Sequence, residues 1–135
     1  TEVNAYDQIY GFGIGFDMTR MDLQGVCKKM GRPWEIGKAF ERSAPMGKIT
    51  PISEVGNMEK GNIKLSVNGE TRQDGDLDMM IWKIPEQIAH LSKYYDISAG
   101  DLIMTGTPAG VGPIVKGDKL IGTIDNLETL EIIVI

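Results

Sequence analysis

Cysteine and histidine are almost missing from this chain, which has one of each among 135 residues, Cys27 and His90. A single thiol leaves no intrachain disulfide to form, and an intracellular, cytoplasmic home is the expectation. The same shortage excludes a zinc site of the usual Cys/His kind. A Cys–His hydrolase is formally open, but both residues fall in helix-like stretches with no activating group around them. Cys27 reads as a small buried hydrophobe and His90 as a solvated helix residue. Positive charge is also scarce. Fourteen Lys and Arg stand against nineteen Asp and Glu, a net charge of −5, with a pI near 4.8. That balance argues against a nucleic-acid partner or an anionic membrane surface. No apolar run approaches the roughly 18 residues needed to span a bilayer. Internal repeats and low-complexity tracts are absent.

What is present is ordinary globular material, 41% apolar and 24% charged. That is enough for one domain over 1–135 with a real core. Tyr10, Phe12, Ile14 and Phe16 alternate with Gly11, Gly13 and Gly15, a period of two that predicts a strand. One face of it is bulky and the other bare, which lets a second backbone or a ligand come close. "TRMDLQGVCKKMG" predicts a helix, with a capping box from Thr19 and Asp22 and a stop at Gly31 and Pro33. The Gly/Pro-punctuated region from "GRPWEIGKAF" to "APMGKITPISEVGN" reads as a long irregular loop of the functional kind. "NIKLSVNGETRQ" is a hairpin about Asn68-Gly69. Ile84, Ile88, Leu91 and Tyr95 recur at helical spacing, with Pro85 acceptable in the first turn. "DLIMTGTPAGVG" predicts a short apolar strand running into a glycine loop, and two strands close the chain. Strands, two helices and long loops make an α+β chain dominated by β-structure, without a βαβ rhythm.

Few residues offer chemistry. Asp17 follows the glycine-faced strand, where a carboxylate can settle the start of a helix or coordinate a hard cation. Gln24, on a helix, would look back toward the loop that holds Asp17. Lys38 lies among Trp34, Ile36 and Phe40, so its ammonium either reaches out to water or is kept inside to meet an anion. "GTPAGVGP" matches neither the Walker pattern nor the dinucleotide fingerprint. Thr105, Gly106 and Thr107 form either a structural turn or a set of donors aimed at a carboxylate.

Four blocks nevertheless occur in order. They are Asp-x-x-x-x-Asp-x-Gln at Asp17–Gln24, "GRPWEIGKAFERSAP", "VNGETRQDGDLDMMIW", and "GDLIMTGTPAGVGP" with Gly117-Asp118 beyond it. Together they resemble the fumarylacetoacetate hydrolase family, and within it the fumarylpyruvate hydrolases and acylpyruvases. The likeness covers nearly the whole chain. It implies a mixed β-sandwich roll of that family's C-terminal domain type, assembled as a homodimer. It implies a Mg²⁺ or Mn²⁺ site of three carboxylates and hydrolytic C–C cleavage of a small dicarbonyl acid such as fumarylpyruvate, in aromatic catabolism. By this carry-over Asp17 is the third metal carboxylate. Lys38 is the lysine beside the metal, Gln24 orients the substrate, and Thr107 with Gly106 holds its carboxylate end. A divalent ion chelating two carbonyl oxygens would stabilise the enolate that leaves, while water addition still needs a base.

Two departures qualify the resemblance. The family usually carries a substrate-pairing arginine where Met21 stands; Arg20 is one residue early, about 100° around a helix. Arg20 is therefore a substrate contact only with a local shift, and the lost guanidinium puts 2-oxo-acid specificity in question. The family's Glu-x-Glu metal pair and catalytic histidine lie upstream of the glycine-faced strand, and nothing matching them precedes Tyr10. The expectation is the C-terminal part of a longer protein, active only with an N-terminal segment. The alternatives are an oxaloacetate-type decarboxylase or ring-cleavage product isomerase of the same family, and a non-catalytic remnant or assembly subunit.

Overall fold

The computed structural model describes all residues from Thr1 to Ile135. Two short 3-10 turns, Glu2–Asn4 and Tyr6–Gln8, precede strand β1 (Gly11–Phe12) and helix α1 (Met21–Lys29). A one-turn helix α2 (Glu35–Lys38), strand β2 (Thr50–Pro51) and a one-turn helix α3 (Ile52–Val55) follow. The hairpin β3 (Asn62–Val67) and β4 (Glu70–Asp76) comes next, then helix α4 (Ile84–Leu91) and the closing strands β5 (Lys119–Ile124) and β6 (Leu130–Ile133). All strand pairs are antiparallel, in a two-stranded sheet β1–β2 and a four-stranded sheet ordered β4–β3–β5–β6. The chain is thus mixed α and β, mainly sheet, as its patterning predicts.

The hairpin forms where its turn chemistry demands. Asn68 and Gly69 take φ of 53° and 85°, the left-handed pair that a two-residue turn needs to match strand twist. The Asn68 side chain then ties the turn to the neighbouring strand. It donates to Asp118 Oδ1 at 2.8 Å and accepts from the Lys119 N–H at 2.9 Å.

The glycine-faced segment is strand-like over a longer stretch than β1 alone. Beyond the β1–β2 ladder it continues alongside residues 43–47, through Gly47 N–H to Ile14 O (2.9 Å), Phe16 N–H to Pro45 O (3.0 Å) and Met18 N–H to Ser43 O (2.9 Å). A Cβ at Gly13 would sit 2.7 Å from Ile49 Cδ1, and one at Gly11 or Gly15 would overlap Thr50 or Met46. The bare face therefore lets a second strip of chain lie against it. The bulky face divides. Ile14 and Phe16 are buried over Gly122 of β5, where a Cβ would stand 2.8 and 2.7 Å from them, whereas Tyr10 is 76% exposed. Phe16, Val67 and Leu120 form the core, and Met18, Leu65, Ile114, Leu130 and Ile132 pack around it.

Both longer helices form, with Cys27 buried in α1 and Ile84 buried at the start of α4. His90 is exposed on α4, beside the Trp82 and Tyr94 rings. Two expectations fail. Thr19 and Asp22 make no capping box, because α1 starts at Met21 after Arg20 and the Thr19 hydroxyl is engaged elsewhere. "DLIM" is not a strand. Residues 102–114 make no backbone–backbone hydrogen bond, and Leu102 and Met104 stay exposed.

Candidate active site

An open cleft of about 1730 Å³ runs between the end of the glycine-faced segment, α1 and α2, the loop after α4, and the sheet. Asp17, Arg20, Gln24, Lys38, Gly106 and Thr107, the site residues drawn from the sequence, all line it.

Asp17 and Lys38 meet. The Lys38 ammonium lies 2.6 Å from Asp17 Oδ2 and 2.9 Å from Thr19 Oγ1, and the Thr19 hydroxyl donates to the Asp17 carbonyl at 3.3 Å. The arrangement follows from main-chain packing. Gly37 is buried, and a Cβ there would stand 3.1 Å from the Gln24 backbone nitrogen and Cβ. Without that Cβ, α2 sits directly on the first turn of α1, joined by Arg20 N–H to Gly37 O at 3.0 Å. Lys38, the next residue, is thereby carried to Asp17. Asp17 caps no N–H of α1, which begins four residues later, so its helix-starting reading does not hold. Lys38, one-third exposed, is held against an anion rather than extended into water.

The other candidates sit around this pair. Gln24 is half-buried, with its side-chain amide in no hydrogen bond. The Arg20 guanidinium lies 4.4 Å over the Phe40 ring in a cation–π contact and forms no ion pair. Gly106 has φ of 118°, which favours glycine. The Thr107 hydroxyl accepts from Gln73 Nε2 at 2.9 Å.

Two residues of this site escaped the sequence. Thr19 reads there as a helix cap, and its true partner is nineteen residues away. Gln73 lies within a wholly polar stretch, "ETRQDGD", where no alternation marks the one side chain that turns inward.

The shifted acids lie elsewhere. Backbone N–H groups of Asp78 and Gly61 hold the Asp76 carboxyl below the usual range. The Val115 N–H, then the Asn68 amide, does the same for Asp118, so the Gly117-Asp118 block is a turn clasp. Burial, then Glu59, pushes Tyr6 up to about 12 at a separate pocket of about 390 Å³.

As a cation site the cleft is incomplete. Asp17, Asp22 and Glu41 all line it, yet no three acidic, histidine or cysteine side chains of the chain gather into a metal-binding group. One carboxylate already engaged by a lysine does not hold Mg²⁺ or Mn²⁺ against water.

The fold agrees with what known proteins show. The family model for the C-terminal domain of fumarylacetoacetate (FAA) hydrolase matches residues 1–134, and the chain belongs to that family. Fumarylpyruvate hydrolase of Ralstonia sp. is 46% identical over 134 residues, 99% of this chain and 69% of the relative. Oxaloacetate tautomerase YcgM of Escherichia coli K12 is 45% identical over 126 residues, 93% of this chain and 58% of the relative. The crystal structure of fumarylpyruvate hydrolase from Pseudomonas aeruginosa in complex with Mn²⁺ and pyruvate superposes with a TM-score of 0.98 at 45% identity. It is matched over the whole of this chain and 58% of its own. The chain thus spans between 58% and 69% of these relatives.

Proposed function

We propose that the protein carrying this chain is a hydrolase that cleaves the C–C bond of fumarylpyruvate-like acylpyruvates, in the cytoplasm and as a homodimer. The observation that carries the reading is the Lys38–Asp17–Thr19 cluster sharing one cleft with the Thr107 loop. The 46% identity to a fumarylpyruvate hydrolase supports it. In this reading the Thr107 hydroxyl and the Gly106 and Thr107 N–H groups receive the substrate's carboxylate. Lys38 balances negative charge as it builds on the dicarbonyl oxygens, the kind of fixed charge that lowers a barrier most in a site shielded from water. Gln24, with its amide unengaged, orients the substrate, and Arg20 reaches it only by leaving Phe40. Asp17 contributes one ligand to a Mg²⁺ or Mn²⁺ ion. Because these residues alone do not complete such a site, the remaining ligands belong to the part of the relatives' length this chain does not span. No histidine lines the cleft, so the base for water has the same origin.

A second reading has its own support. Met21 stands where the family usually places an arginine, and the relatives include an oxaloacetate tautomerase. Conversion or decarboxylation of oxaloacetate proceeds through an enolate as well and needs less of the pocket. The deciding experiment supplies the full coding product with Mg²⁺ or Mn²⁺ and either fumarylpyruvate or oxaloacetate. Pyruvate and a second acid from fumarylpyruvate support the hydrolase. CO₂ or keto–enol exchange from oxaloacetate, without acylpyruvate cleavage, moves the assignment to the second reading. Inertness toward both leaves a non-catalytic member of the family.

A further inference from the structure

The loop from Leu102 to Ile114 has no backbone–backbone hydrogen bond of its own, so something else must fix its shape. It lies down on β4 instead. Pro108 packs over Gly75, where a Cβ would come within 3.2 Å of its ring, and Gly110 presses on the Arg72 carbonyl with φ of 106°. Between these contacts stands Gln73, the one buried side chain of its polarity and 9% exposed. Its Nε2 donates to the Pro108 carbonyl at 2.7 Å and to Thr107 Oγ1 at 2.9 Å.

The pair of bonds removes an ambiguity. A carbonyl oxygen only accepts, so the amide must turn its NH₂ toward Pro108, and the second proton of that NH₂ then points at Thr107. The Thr107 oxygen is an acceptor in this bond, which leaves its own proton free for the cleft. The backbone N–H groups of Gly106 and Thr107 donate to nothing in the chain. The loop therefore offers the cleft a hydroxyl and two amides, all donors, a set suited to a group that only accepts and carries charge.

We infer that Gln73 is a positioning residue that fixes Thr107 as a hydrogen-bond donor and so selects the carboxylate end of the ligand over its amide or ester. The inference rests on the acylpyruvate reading for the ligand's identity, and on the geometry alone for the donor set.

The test uses the full coding product with its metal. The variants are Gln73→Met, which keeps size and loses the donors, and Gln73→Glu, which turns the donors into acceptors. Thr107→Val, Thr107→Ser and the Gln73→Met/Thr107→Val double variant accompany them. The readouts are KM and kcat for fumarylpyruvate and for its carboxamide at the pyruvate end, and the Kd of pyruvate by calorimetry. Gln73→Met is expected to raise KM and the pyruvate Kd about tenfold, the weight of one hydrogen bond to a charged group, with kcat changed less than about twofold. Gln73→Glu should lose at least as much. Thr107→Val should match Gln73→Met, the double variant should be no worse than either, and Thr107→Ser should retain binding. Preference for acid over amide should collapse in each weakened variant. Equal losses on acid and amide, with pyruvate affinity unchanged, would make Gln73 a structural residue and overturn the inference. If Gln73→Met fails to fold, Thr107→Val reports on the same hydroxyl. If the wild type cleaves no acylpyruvate, the acylpyruvate reading falls and pyruvate binding alone decides. A tenfold weakening in the variants still supports the donor set, and pyruvate binding that is absent or unaltered overturns it.

Discussion

The hairpin sheet and the loop that faces it across the cleft are held by opposite means. From Asn62 to Asp76 and from Lys119 to Ile133 nearly every strand is tied to a neighbour through its main chain, and Asn68, Asp76 and Asp118 clasp the ends. From Leu102 to Ile114 the main chain is tied to none of its own kind, and one buried glutamine does most of the fastening. Backbone ladders resist single side-chain changes because many bonds share the load. A loop hung on side chains can be altered at one residue, which suits the part of a fold that meets different ligands.

The contrast can be broken first at the core. Phe16→Ala removes the ring that covers Gly122 and should cost about 3–5 kcal/mol in denaturant unfolding. A cost near zero would mean that the sheet does not depend on the glycine-faced segment. Lys38→Met should do the reverse, lowering kcat of the full coding product about hundredfold. Its ion pair is a third to two-fifths exposed, so its loss should change stability by no more than about 1 kcal/mol. Equal damage to folding would place Lys38 with the scaffold. At the hairpin turn, Asn68→Val forces a β-branched residue to a φ of 53° and removes both clasps, for roughly 1–2 kcal/mol by thermal unfolding.

The smallest effect is a pH dependence. Asp76 and Asp118 have folded-state pKa values held below the usual carboxylate range by backbone N–H groups. Their contribution is present above that range and is lost as pH falls through it toward the lowered folded-state values. Melting temperature should therefore drop on the acid side, and Asp118→Asn should flatten that drop. A steeper acid loss in the variant would refute the clasp.

The sequence was most legible where structure is local. Asn68-Gly69 announces its turn because both residues tolerate left-handed backbone, the stop at Gly31 and Pro33 marks the end of α1, and the apolar stripe announces α4. "DLIM" misled because an apolar run describes what side chains favour, whereas a strand needs main-chain partners, and this loop meets β4 through side chains instead. Thr19 misled because its spacing fits a cap, while a lysine nineteen residues away offers its hydroxyl a charged partner. The gathering of Asp17, Lys38 and Thr107 about one cleft came from the ordered family blocks, since no local period links residues so far apart. Gln73 carried no mark at all: a buried amide in a polar strand looks like its exposed neighbours until a loop is laid over it.

Gly37 gives the lysine its place in an unusual way. With only a hydrogen where a side chain would be, α2 comes close enough to α1 that a Cβ at Gly37 would stand 3.1 Å from the Gln24 nitrogen. The span that Lys38 must bridge to Asp17 is accordingly set by van der Waals contact between main chains. Even a methyl group at Gly37 would act as a shim, shifting the ammonium from its carboxylate without changing either partner.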